Sequence, residues 1–276
     1  MNLIDNFFEQ LHTMPMLPKV VQEVTQLLNT DDVEIKTLAD KINHDQVLSA
    51  RVLSMSNSAY FGCSRGVSTI EEAISLIGLG KLKTLVIASG VTSAITDVPG
   101  LDLKRFWRHS LITASIAREL STELNLEEDT AYIAALMHTV GQLPIHMLFP
   151  TAGAKIEEAC QGRNVLERTS VEHMILGIDH TDVGAKLAKH WNFPEEISQV
   201  ILYYTEPLNE KACSLAPVVY AASHIAFDLE SGKEPEYIAE TLSEDVATEL
   251  RLEDTEALAE RIESYRGYVA EAKAYL

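Results

Sequence analysis

Apolar residues recur at helical spacing along most of this chain. Leu17, Val20, Val21, Val24, Leu27 and Leu28 fall at i, i+3, i+4, i+7, i+10 and i+11, which is one face of a helix. Pro18 suits its first turn, where the missing N–H is not needed. Ile35, Leu38, Ala39 and Ile42 predict a second helix, and Val47, Leu48, Val52 and Met55 a third that ends in the turn-rich "SNSAYFG". "TIEEAISLIG" carries a capping box, Thr69 with Glu72, and Gly78 and Gly80 punctuate its end before another helix from Leu82 to Ile95. The second half opens with a long helix from near Asp102 to about Leu124, then Asp129 to His138, Glu167 to Leu176, His180 to His190, Pro194 to Tyr204 and an Ala-rich helix from Leu215 to Phe227. Two amphipathic helices are expected in the tail, the last with Leu258, Ile262, Tyr265 and Val269 on one face. There is no strand series, no Gly-rich phosphate loop and no G-x-S-x-G elbow. The pattern predicts an all-α chain of two packed lobes that meet near residue 100.

Composition narrows the function classes. The 276 residues are 46% hydrophobic and 23% charged, as in a globular protein. The net charge of −19 argues against a nucleic-acid polymer or an anionic membrane as partner. Residues 228–276 hold 14 acidic and 5 basic residues, a net of −9; a solvated helical face is the favoured reading and a docking surface for a basic partner the sharper one. Cys63, Cys160 and Cys213 form no C-x-x-C pair, so neither a disulfide framework nor a zinc knuckle is expected. The N-terminal stretch has Asp5 and Glu9 within its apolar part, unlike a signal peptide. The apolar run "LKTLVIASGVTSAI" reads as too short to span a bilayer. A reduced, cytoplasmic protein is the expectation.

Nine histidines are present. A lone helical histidine is usually a surface or satisfied core residue. His109 in "FWRHSLITASIARELS", His138 in "ALMHTVGQL" and His180 in "EHMILGIDHTDVGAKLAKHW" stand out because each lies in or at the end of an apolar helix. Asp179 and Asp182 read as a helix cap and a first-turn charge rather than as ligands. Trp107 and Trp191 read as core anchors, and the "SNSAYFG" turn, with Asn57, Tyr60 and Phe61, as lobe packing rather than a recognition surface. Cys63 beside Arg65 has no nearby base, which leaves a nucleophile role weak.

These stretches, with "LPKVVQEVTQLLN", "LADKINHDQVLSARVLSMSNSAYFG" and "TIEEAISLIGLGKLKTLVIASGV", resemble the HDOD family, the HD-related output domains of bacterial signalling, over roughly residues 10–230. The second half resembles the HD superfamily of metal-dependent phosphohydrolases, especially its HD-GYP branch. The resemblance implies an N-terminal helical lobe over 1–100, an HD-like lobe over 101–230 and an acidic helical extension over 231–276.

In the HD site, imidazoles and carboxylates hold divalent cations that polarise a phosphoryl group and generate hydroxide. Carried over by the resemblance, the metal-binding histidines fall on His109, His138 and His180, with Glu172 and Gly184 in place. The aspartate after the second histidine falls on Thr139, the closing aspartate on Ser223, and the paired histidines of the HD-GYP branch on Tyr203 and Tyr204. Both expected carboxylates are therefore missing. A neutral three-imidazole site can still hold Zn²⁺, Ni²⁺, Fe²⁺ or Mn²⁺ if its geometry converges, but no cofactor is the first expectation. A degenerate pocket bordered by Thr139, Glu172, Tyr203, Tyr204 and Ser223, with no catalytic residue, ranks first; adventitious metal binding ranks second and a working hydrolase third. The expected function is a non-enzymatic regulatory module acting through signalling proteins or a small ligand, with a nucleotide left open. The competing reading is a divalent-metal phosphohydrolase or cyclic-dinucleotide phosphodiesterase. No receiver, GGDEF or EAL-like stretch is present, so input is expected from a separate protein or a ligand.

Overall fold

The computed structural model describes residue 9 and residues 17–28, 34–57 and 66–275. Every regular element among them is helical. The chain divides into two compact units, one spanning Pro15–Thr96 and the other taking in Asp97–Leu276.

The first unit contains α1 (Lys19–Leu28), α2 (Ile35–Asn43), α3 (Gln46–Ser56) and α4 (Ile70–Ala94). Helix α4 packs against each of the other three. Val21 and Val24 of α1, Leu38 and Ile42 of α2 and Val52 of α3 are buried against its apolar residues. Gly90 sets the closeness of α1, since a Cβ there would lie 2.5 Å from a Val21 methyl. The predicted capping box is present: Glu72 N–H donates to Thr69 Oγ1 at 3.1 Å and Thr69 N–H donates to the Glu72 carboxylate at 3.2 Å. The helix breaks at Gly78, whose φ of 83° only glycine adopts freely. Two expectations need correction. Val47 is 61% exposed, because the stripe of α3 runs through Leu48 and Val52 instead. The run that looked too short for a bilayer belongs to a 25-residue helix that is long and apolar enough by composition; burial in this unit's core accounts for its apolarity. Asn57 clamps the chain across a gap in sequence, its side chain accepting from Val67 N–H at 2.8 Å and donating to Val67 C=O at 2.9 Å. Tyr60, Phe61, Cys63 and Arg65 lie outside the described residues.

The second unit begins with α5 (Leu103–Glu123), capped by Asp102, whose carboxylate accepts from Arg105 N–H. It continues through α6 (Glu128–Met137), α7 (Gln142–Leu148), α8 (Pro150–Ala159), α9 (Val165–Leu176), α10 (His180–His190), α11 (Glu195–Tyr203) and α12 (Leu215–Glu230). Helix α5 packs closely on α6 and α12. Ser110, Ala114, Ala117 and Ser121 form a buried small-residue stripe on α5, facing helices that bury Ala131, Ala134, Ala135, Ala221 and Ala222. Small side chains at i, i+4, i+7 and i+11 let helix axes approach. Trp107 and Trp191 are buried anchors. Helices α7 and α8 fill a stretch with no helix in the sequence reading; α8 starts at Pro150, a proline at its first position.

The tail has three helices rather than two: α13 (Pro235–Thr241), α14 (Glu244–Glu249) and α15 (Thr255–Tyr275). Helix α15 packs on α5, fastened by Arg261 to Glu123 and by the Tyr268 hydroxyl to Glu119. The acidic tail is thus part of the second unit's body.

Candidate functional site

The second unit brings its three singled-out histidines together from separate elements. His109 lies in α5, His138 caps the C-terminus of α6, and His180 is the first residue of α10. Two glycines seat the last of these. A Cβ on Gly141 would fall 2.0 Å from the His180 carbonyl oxygen and 2.5 Å from the Gly184 nitrogen, and one on Gly184 would meet an Ile201 methyl at 2.9 Å. Backbone therefore packs on backbone where "HTVG" passes the start of α10.

Hydrogen bonds then define each imidazole. Glu172 is completely buried; its carboxylate accepts from His180 Nδ1 at 2.6 Å, from His180 N–H at 2.8 Å and from Arg168 Nε at 2.6 Å. Burial alone would raise its carboxyl, but the facing His180 and Arg168 outweigh that and hold it at about 2. On the other side of the ring, the buried Tyr204 hydroxyl lies 2.5 Å from His180 Nε2. Burial, with Glu172 nearby, pushes Tyr204 well above the ordinary phenol range, so its proton stays in place to be donated. His138 follows the same logic. Its Nδ1–H donates to the Ala135 carbonyl at 2.5 Å, and its Nε2 accepts from the Ser223 hydroxyl at 3.3 Å. Burial and the neighbouring His109 push it well below the ordinary imidazole range, which keeps it neutral. The Tyr204 ring lies edge-on to His138, with centroids 4.9 Å apart, and also contacts His180.

His109 is served by a carboxylate that the sequence reading missed. Its Nδ1–H donates to Glu230 at 2.9 Å, and Arg108 Nε donates to the other oxygen at 2.8 Å. Thr139 has its hydroxyl 3.4 Å from that of Ser110.

This donor set does not suit a divalent cation. The nitrogens of His138 and His180 that a cation would use each face a hydroxyl, Ser223 and Tyr204. No carboxylate stands at Thr139 or Ser223, and hard cations need charged oxygen. Among the described residues, three ligand atoms come within 4.8 Å of one another only at His173, Asp179 and Asp182, and not at His109, His138 and His180. Asp179 is already committed: one oxygen accepts from Thr181 and Asp182 N–H as the α10 cap, the other from His173 at 3.0 Å. That agrees with its reading as a cap.

The residues expected around a pocket separate. Thr139 and His109 border a cavity of about 900 Å³ that also reaches Arg105, Arg163 and Arg168. Glu172, Tyr204 and Ser223 are buried in the hydrogen-bonded cluster and are not among the residues lining that cavity. Tyr203, one step round the helix from Tyr204, is half-buried and joins neither group. A third buried histidine, His146, extends the network: its Nδ1 lies 3.2 Å from the Pro99 carbonyl, and Arg168 donates to its Nε2 at 3.3 Å and to Glu157 at 2.7 Å. The i, i+4 pair Arg168–Glu172 was visible in the sequence; the approach of Glu230 to His109, across 121 positions, was not.

The fold and site define an all-helical unit carrying an HD-like histidine cluster without its acids. The HDOD domain family matches residues 14–207, and the chain belongs to this family. A protein of Shewanella amazonensis SB2B, provisionally assigned as a phosphohydrolase, has a similar crystal structure: TM-score 0.81, 30% identity, over 98% of this chain and 97% of that one. A protein of Marinobacter aquaeolei VT8, provisionally assigned to signal transduction, shares the fold with a TM-score of 0.75 at 22% identity, over 100% of this chain and 61% of that one. An uncharacterised protein of Treponema pallidum (strain Nichols) is 25% identical over 198 residues, which is 71% of this chain but only 38% of the longer relative.

Proposed function

We propose that this HDOD protein is a non-catalytic signal-transduction module that acts by binding other signalling proteins or a small ligand. The observation that carries this reading is the occupation of two imidazole nitrogens by the hydroxyls of Tyr204 and Ser223, with Glu172 fixing the His180 ring. A hydrolytic metal centre needs those nitrogens free and needs an open coordination position for water. Here the same side chains complete one another, and the cluster serves as a rigid hydrogen-bonded core. The Marinobacter protein's assignment to signal transduction is in keeping with this role.

The competing reading is a divalent-metal phosphohydrolase or cyclic-dinucleotide phosphodiesterase, favoured by the assignment of the Shewanella protein. Elemental mass spectrometry on untagged protein separates the two, with the His109→Ala/His138→Ala/His180→Ala variant beside it. The expected result is no stoichiometric metal in either sample and no turnover of a cyclic dinucleotide. Metal that vanishes in the variant, together with turnover abolished by His138→Ala, would overturn the non-catalytic reading.

A further inference from the structure

We propose that a cleft between the loop 205–211 and α14 docks a basic peptide segment of a partner protein, anchored by an apolar side chain. The proposal does not depend on how the histidine cluster is read. The cleft lies in the second unit, and none of its lining residues borders the cavity beside the histidines. Its volume is about 340 Å³, it opens widely to solvent, and Thr205, Pro207, Leu208, Tyr220, Ser243 and Val246 are among the residues that line it. A small organic ligand is normally enclosed on most sides. An open cleft of this size suits one or two side chains of an approaching chain.

The cleft is ready for such a chain. Leu208 is 49% exposed, apolar surface that a partner would take out of water. The turn that presents it is already fixed. Asn209 N–H donates to the Glu206 carbonyl at 3.0 Å, the Asn209 side-chain amide donates to the Glu206 carboxylate at 3.2 Å, and Ala212 N–H donates to the Asn209 carbonyl at 2.8 Å. Little ordering entropy is then lost on docking. The hydroxyls of Thr205, Tyr220 and Ser243 line the cleft, and among the described residues none has a hydrogen-bond partner. They offer donors and acceptors to the peptide groups of an extended chain.

Charge names the partner. Glu206 lines the cleft and Glu210 shares its loop, while Glu240, Glu244, Asp245 and Glu249 flank Ser243 and Val246 in sequence. Glu249, three positions beyond Val246, lies on the same face of α14. All six acids are exposed, and among the described residues none forms an ion pair. Lys211 is the one base in residues 205–211 and 240–249, so six acids against one base leave these two segments with a net charge of −5. The arginines of α15 are spent elsewhere: Arg261 pairs with Glu123, and Arg266 with Glu234 and Glu263. Uncompensated like charges attract and orient a ligand of opposite sign. The acids stand on both of the segments that bound an apolar cleft. The complementary ligand therefore carries cations on either side of an apolar anchor, which is a basic stretch of protein and not a free amine.

The test is selection from a random dodecapeptide phage library on the full chain, with Leu208→Glu as the counter-target. Thermal melting confirms that the variant is folded, and Leu208→Ser replaces it if it is not. Leu208→Glu removes the apolar anchor point yet makes the surface more acidic. Peptides held by charge alone bind it at least as well as the wild type, whereas docked peptides are lost. The clones that need Leu208 are expected to carry an apolar residue flanked by lysine or arginine. One such peptide, synthesised with a fluorescent label, is then titrated by anisotropy. Leu208→Glu is expected to weaken its binding by about tenfold or more, and Glu206→Gln/Glu249→Gln by about threefold or more. The proposal is overturned if no clone depends on Leu208, if the dependent clones are neutral or acidic, or if the folded variants bind the peptide as tightly as the wild type. Metal content and turnover test the non-catalytic reading separately, so either idea can fail without the other.

Discussion

Replacing Glu172 by Gln tests the central structural claim, that the cluster is held by a buried carboxylate rather than by a cation. The substitution keeps the size of the side chain but removes its charge. The carboxylate accepts three hydrogen bonds, from His180 Nδ1, His180 N–H and Arg168 Nε. Its folded pKa drops from the ordinary 4.5 to about 2. Each unit is worth about 1.4 kcal/mol, so ionised Glu172 contributes on the order of 3 kcal/mol. A depressed carboxylate stabilises above its unfolded pKa, and that contribution fades as pH falls towards the folded value. Glu172→Gln is therefore expected to lower stability by about 3 kcal/mol at neutral pH, with the difference from wild type intact at pH 6 and shrinking below about pH 4.5. Urea unfolding followed by tryptophan fluorescence measures it. Trp107 and Trp191, the chain's two tryptophans, both lie in the second unit, so the signal reports the unit that holds the site. A loss under about 0.5 kcal/mol at pH 7, or a difference that grows on acidification, would refute the reasoning.

Three further outcomes follow from local geometry. Gly141→Ala places a Cβ 2.0 Å from the His180 carbonyl oxygen, against backbone that cannot swing aside; a loss of about 3 kcal/mol or failure to fold is expected, read from the urea midpoint. Tyr204→Phe strips the hydroxyl from His180 Nε2 and leaves that buried ring nitrogen without its partner; about 1–3 kcal/mol of destabilisation is expected in the same assay. Gly78→Ala forces a φ of 83° on an L-residue at the break in α4; about 1–2 kcal/mol is expected, visible in circular dichroism melting of the first unit but not in tryptophan fluorescence, since both tryptophans lie in the other unit.

Much of the fold was legible because helical periodicity and caps are local. Thr69 with Glu72, Asp102 and Asp179 cap as their sequence neighbours require. The break at Gly78 could be read for the same reason. Helices α7 and α8 escaped notice because "QLPIHML" and "PTAGAKIEEA" have mixed polarity and a proline or glycine inside, so neither shows a clean stripe. The site was half legible. Its histidines could be singled out by context, but a carboxylate 121 positions away, Glu230, becomes relevant only once α12 folds back along α5.

The "HTVG" segment shows why the histidines were readable while their role was not. The positions of the HD pattern that this chain matches all have work that requires no ion. His109 donates to Glu230, His138 donates to Ala135, His180 bridges Glu172 and Tyr204, and Gly184 packs against Gly141 and Ile201. Of the four positions where it departs, Thr139, Ser223, Tyr203 and Tyr204, all but Tyr203 set a hydroxyl against a neighbouring polar group. Thr139 faces Ser110, Ser223 serves His138 and Tyr204 serves His180. Each substitution replaces a charged or coordinating group with a neutral donor, which a dry core accommodates at far lower desolvation cost than a carboxylate without its metal. Restoring one carboxylate alone, at Thr139 or Ser223, would therefore bury an unpaired charge. Re-creating a cation site requires both acids and the removal of the Tyr204 hydroxyl together.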